Sequence, residues 1–216
     1  MNRLTSYFQT VGIRRILGML LGNILVGVGC GFFKWATVGN DPYSAGSMAL
    51  AALLGMQLGV FNMLYNIMFF LAEIRWGRRY IGIGTIVNWF GLGFFTQWTF
   101  SLLSLMGTPV TWPQKILAMA VGIVIICFGL SLYQTSDTGL APYDSLSVMM
   151  SQYWHIPYFW CRMITDCISV AICYFAGGLL GVGTLVCAFG LGPIIHLFNR
   201  HVSEPLLGHS IGEQAS

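Results

Sequence analysis

Long apolar stretches joined by short polar segments make up most of this chain. A helix needs about 20 predominantly apolar residues to cross a bilayer, and six stretches supply them: 13–36, 58–74, 81–105, 115–135, 158–175 and 179–198. Two shorter pieces, 43–56 and 143–153, also read as helical. The second lies in PYDSLSVMMSQYWHIP, too short and too polar to span. Both are expected to be re-entrant or interfacial helices.

The pattern then repeats. At a separation of 100 residues, RILGMLLG from Arg15 aligns with KILAMAVG from Lys115, Gly29 with Gly129, and VGNDPYSAGS from Val38 with TGLAPYDSLS from Thr138. At a separation of 99, GIGTIVNWFGLG from Gly82 aligns with GVGTLVCAFGLG from Gly181. Each unit reads as span, GxxPY loop, short helix, span, span. An odd number of spans turns the second copy upside down in the bilayer. The expected fold class is therefore an all-α membrane protein, with six transmembrane helices and two short helices in a 3+3 inverted internal repeat. Its expected parts are a cytoplasmic N-terminal segment (1–12), a first membrane repeat (13–106), an external linker (107–114), a second membrane repeat (115–198) and a water-exposed cytoplasmic tail (199–216).

Charge placement agrees with that topology. With both termini inside, Arg3, Arg14, Arg15, Arg75, Arg78, Arg79, Arg162 and Arg200 fall on the cytoplasmic side, and only Lys34 and Lys115 fall outside; cytoplasmic loops carry such an excess. The first apolar run, 16–33, is too long for a signal-peptide core of about 7–15 residues and recurs later in the chain, so it is expected to be a permanent span.

Composition narrows the class. The 216 residues are 56% hydrophobic and only 8% charged, against about 25% charged in soluble domains. Most of the surface must face lipid. The net charge of +3 is too small to suggest nucleic-acid binding. Cys30, Cys127, Cys161, Cys167, Cys173 and Cys187 sit in apolar runs without zinc-type spacing, and read as small packing residues rather than disulfides. His155, His196, His201 and His209 form no metal pattern. No metal or cofactor is expected. No P-loop, HExxH, GxSxG or dinucleotide fingerprint occurs, so no enzyme is expected, although a membrane enzyme acting on a lipid or lipophilic substrate stays open.

Polar residues at membrane depth are the candidates for function, because they are costly there. Arg162 and Asp166 lie four residues apart on one face of a span, with Asn62 and Asn66 at the corresponding positions of the first unit. They suit a central polar site or a proton relay; a structural ion pair with Arg162 reaching the interface is the other reading. In the loops, Gly39 and Gly139 permit unusual dihedrals, and Pro42 and Pro142 suit a helix start, followed by Tyr43 and Tyr143. A helix start favours an anion or polar solute. Asp41 and Asp144 stand beside these starts, either as loop and capping residues or facing a solute. Ala141 opposes Asp41 and Ser44 opposes Asp144, so any site built on them is asymmetric. Gln97, His196 and Glu73, with its following arginines, are expected at span ends, and Asn88 in an interhelical hydrogen bond. Gly18, Gly22, Gly27 and Gly31, with Gly91, Gly93, Gly190 and Gly192, are expected to let helices approach closely. Trp76, Trp98, Trp112, Trp154 and Trp160 read as interfacial anchors.

The GNDPYS and GLAPYD loops, the GIGT and GVGT segments and the duplicated FGLG resemble the YczE/YyaS/YitT group of bacterial membrane proteins, the YczE-like branch most closely. The resemblance covers nearly all of 13–198. It implies a multi-pass location in the bacterial inner membrane and supplies no substrate or active residues. Inverted repeats with broken helices are an architecture of secondary transporters. The expectation is a transporter of an unidentified small-molecule solute, in contact with the lipid bilayer. The alternative is a non-transporting membrane partner or regulatory subunit of a larger complex; a second copy of the chain or another membrane protein would be its partner.

Overall fold

The computed structural model describes residues 12–208, and every regular element among them is helical. Arg3 and His209 lie outside the described residues. The helices are α1 (Ile13–Ala36), α2 (Pro42–Leu53), α3 (Leu58–Trp76), α4 (Ile83–Ser104), α5 (Trp112–Thr135), α6 (Pro142–Trp154), α7 (Tyr158–Phe175), α8 (Val182–Phe198) and α9 (Glu204–Leu207). A 3-10 turn, Arg78–Tyr80, precedes α4, and a π-helical turn, Asn199–Ser203, joins α8 to α9.

Local chemistry explains where these helices begin and end. α1 stops at Thr37, which turns left-handed at φ 55°, and the corresponding Asp137 after α5 does the same at φ 51°. Pro42 and Pro142 open α2 and α6, where a missing N–H costs nothing. α5 begins earlier than expected, at Trp112, because the Thr111 N–H donates to the Gln114 side chain (3.3 Å) and Pro113 sits in the first turn.

Among the described residues, four helical stretches are long and apolar enough to cross a membrane: Ile13–Ala36, Leu58–Trp76, Trp112–Thr135 and Val182–Leu207. α4 has 22 residues, diluted by glycine, threonine, asparagine and glutamine, and α7 has 18 and carries Arg162 and Asp166. At about 1.5 Å per residue they reach roughly 33 and 27 Å.

At the centre α1 and α5 pack glycine against glycine. A Cβ on Gly22 would stand 2.7 Å from the Gly129 carbonyl oxygen, and one on Gly29 would stand 2.8 Å from that of Gly122. Contacts that rise along one helix as they fall along the other make the pair antiparallel. Gly27 and Gly31 turn a second face of α1 to Phe95 and Thr99 of α4, where the buried Asn88 also donates to Asn23 (2.8 Å). α8 packs on α5 and α7, α2 packs on α7, and α6 packs between α3 and α7. The FGLG glycines do not all serve packing as expected. Gly192 meets Phe159, but a Cβ on Gly93 or Gly190 would meet nothing, because both lie on outward-facing turns.

The segment after Phe198 also differs from its expected polar tail. The helix continues through Leu207, burying Asn199, Ser203 and Leu207, with Leu207 on Gly18 and Ser203 on Ser131. The π-helical turn keeps Asn199, Ser203 and Leu207 on one buried face, although two of the three are polar. Through these contacts Arg14, Arg15 and Arg200 gather at one end. The Leu140 N–H donates to the Tyr80 carbonyl (2.7 Å), bringing Arg78 and Arg79 to that end as well. Lys34 lies at the other end, where it donates to Gln97 (2.8 Å).

Candidate functional site

The two GxxPY loops are seated by exchange. The Gly84 N–H donates to the Thr138 carbonyl (2.9 Å), and the Gly183 N–H donates to the Val38 carbonyl (3.0 Å). Each GxGT segment therefore holds the GxxPY loop from the other half of the chain. Gly39 (φ 137°) and Gly139 (φ 117°) have backbone that side chains rarely adopt, and a Cβ on Gly139 would stand 2.5 Å from the Gly82 nitrogen.

This seating brings the first turns of α2 and α6 together. The rings of Tyr43 and Tyr143 lie 4.9 Å apart, with Phe69 beside both and Tyr65 stacked on Tyr43. The Tyr43 hydroxyl donates to Asn66 (2.9 Å), and the Tyr143 hydroxyl donates to Asp166 (2.8 Å) with Ser169 at 3.1 Å. These are corresponding residues making corresponding bonds. Asn66 and Asp166 each stand ninth in their helices, which are 19 and 18 residues long, so both bonds lie at mid-helix.

Around Tyr143 the interior is ionic. Arg162 pairs with Asp144 on α6 and, through Nε (3.2 Å), with Asp166 on its own helix, while its guanidinium covers the Tyr143 ring at 5.2 Å. Arg162, Asp144 and Asp166 are 6%, 7% and 0% exposed. Arg162 thus does not reach the headgroups: two carboxylates and an aromatic face hold it inside. Asp41, by contrast, is a cap, accepting the Ser44 N–H at 3.0 Å and taking no part in the network. Asn62 is half-buried and its carbonyl oxygen has no partner.

Residues not anticipated from the sequence complete the site. Glu73, expected among headgroups, is fully buried, and neither carboxylate oxygen has a hydrogen-bond partner. Ser145 lies beside it and Asp144 within electrostatic reach. The hydroxyls of Tyr133 and Tyr158 and the Gln134 amide are likewise buried and unpartnered. Ser147 and Thr165 share a bond at 2.9 Å, tying α6 to α7. Glu73 shows no signal in the sequence, since it sits three residues from the end of an apolar helix beside three arginines; the LYQTS run at 132–136 is a weak one. All six cysteines are free thiols, four of them buried.

The outer surface carries exposed Phe90, Phe94, Leu117, Phe175 and Leu179. An all-helical molecule that turns such side chains outward while burying its ion pairs is an integral, multi-pass membrane protein in contact with the bilayer. The chain belongs to a family of unknown function, DUF6198, whose model matches residues 13–200. It is similar to an uncharacterized protein of Haemophilus influenzae, at 23% identity over 90% of this chain and 85% of the relative. Two Bacillus subtilis proteins are also similar. The uncharacterized membrane protein YczE is 22% identical, over 83% of this chain and 81% of its own length. The uncharacterized protein YyaS is 21% identical, over 87% and 93%. The YczE/YyaS-like assignment thus holds, and no solved structure matches the chain.

Proposed function

We propose that the chain is a secondary transporter of a small polar solute, not an enzyme, with six spans arranged as a 3+3 inverted repeat in the bacterial inner membrane. The observation that carries this reading is the reciprocal exchange: each GxxPY loop sits on the GxGT segment of the other unit. The antiparallel crossing of Gly22 and Gly29 with Gly129 and Gly122 supports opposite orientation of the two halves. The short helices are re-entrant on this reading, their first turns meeting at the Tyr43–Tyr143 contact at mid-helix depth. Broken helices converging at the midplane between related halves are how such carriers build a binding site. The gathering of Arg14, Arg15, Arg78, Arg79 and Arg200 at one end supports cytoplasmic termini.

Topology and transport are tested separately. In a cysteine-free background, single cysteines in 78–80 should label from the cytoplasmic side and those in 177–180 from the outside. Labelling of both from one side would sink the inverted repeat. Purified protein in liposomes should take up a polar solute under an imposed ion gradient. Failure with every solute and gradient tried, joined to co-purification with another membrane protein, would favour a non-transporting subunit.

A further inference from the structure

Among the described residues, Glu73 is the one carboxylate of the buried cluster without a counter-charge, and its close polar neighbour on α6 is the Ser145 hydroxyl. Glu73 is fully buried near the end of α3, and both carboxylate oxygens lack partners. With every group ionised, the cluster would hold three carboxylates, Glu73, Asp144 and Asp166, against the single guanidinium of Arg162. Burying charge without compensation is far more costly than burying a neutral acid. Arg162 is already committed to Asp144 and Asp166.

The surroundings offer Glu73 a hydroxyl but no counter-charge. From α6 it faces Asp144 and Ser145, whose hydroxyl donates to the Pro142 carbonyl (2.9 Å). From α5 the neutral phenol of Tyr133 is within reach. On the turn that follows α3, the Tyr80 hydroxyl accepts from Arg79 (2.7 Å). On α2 the Tyr43 hydroxyl is engaged with Asn66. On its own helix Arg75 is exposed, with its guanidinium over the Trp76 ring at 5.9 Å. Arg162 of α7 lies with Asp144 rather than with Glu73.

We propose that Glu73 is a proton-binding site, holding a proton at neutral pH that keeps the Asp144–Arg162 pair intact. Loss of that proton places a carboxylate beside Asp144 and makes it compete for Arg162. Glu73 on α3 and Asp144 on α6 then share one guanidinium with Asp166, and the Asp144–Arg162 geometry is disturbed. The proton thus pins the first turn of α6 to α7, whether or not the chain carries a solute.

The test is infrared spectroscopy of the purified full chain in lipid nanodiscs, titrated in pH. The wild type should show a carboxylic-acid carbonyl band at neutral pH that disappears on alkaline titration. Glu73→Gln should lose it, Glu73→Asp should shift it, and Asp166→Asn should keep it. A band retained in Glu73→Gln, or absent from the wild type at neutral pH, overturns the proposal. Thermal unfolding gives a second readout. A group protonated in the folded state contributes stability that fades as pH rises through its deprotonation. The wild-type midpoint should therefore fall toward alkaline pH, and the Glu73→Gln midpoint should stay flat. Equal slopes would overturn the proposal even if the variant proved less stable overall.

Discussion

Removing the Arg162 guanidinium would leave Asp144 and Asp166 buried without a counter-charge. Breaking a buried pair from one side costs about 3–5 kcal/mol, so Arg162→Met should lower stability by about that much in detergent unfolding experiments. The triple change Arg162→Met, Asp144→Asn, Asp166→Asn removes all three charges together and should recover most of the loss. The tyrosines offer a finer comparison. Tyr143 is buried and its hydroxyl serves both Asp166 and Ser169, whereas Tyr43 is half-buried and serves Asn66 alone. Tyr143→Phe should cost about 1–3 kcal/mol and Tyr43→Phe about 0.5–1.5 kcal/mol, measured by the same unfolding curves. Equal costs would mean that the ionic environment adds nothing to the bond.

Among the helices, a glycine matters where another element presses on its turn, most of all where that element presents backbone. A Cβ on Gly82 or Gly181 would overlap the Thr138 or Val38 carbonyl. Gly82→Ala and Gly181→Ala should therefore each unseat one loop, costing about 1–3 kcal/mol or more. Gly93→Ala and Gly190→Ala place a methyl where nothing stands. They should be neutral or stabilising by up to about 1 kcal/mol, because alanine is the better helix former. Parallel unfolding curves of the four variants check both expectations. All four glycines look alike as small residues in the sequence. What separates them is which neighbour faces each turn, and local spacing does not specify that.

For the molecule as a whole, carrier motion requires that the two seats slide or open relative to the central α1–α5 pair. Cysteines at Val38 and Gly183, whose backbones meet at 3.0 Å, should cross-link in a cysteine-free background. On the transport reading that cross-link abolishes uptake in liposomes, and reduction restores it. Uptake unaffected by a complete cross-link would rule out motion at this seat.

The chain by itself determined α1 to α8, their order and the likeness of sequence positions 100 apart, because apolar run length and Gly/Pro placement act within a few residues. It also marked Arg162, Asp166, Tyr143 and Asn66, because polar residues in an apolar run stand out wherever the helix lies. Only the tertiary structure decided that Asp41 is a cap while Asp144 meets Arg162, and that Glu73 is buried rather than at the headgroups. Those outcomes depend on which helix covers which face, and α6 settling between α3 and α7 is a long-range packing result. An apolar chain in lipid gives little warning of it, since core-facing and lipid-facing positions are built from the same residues.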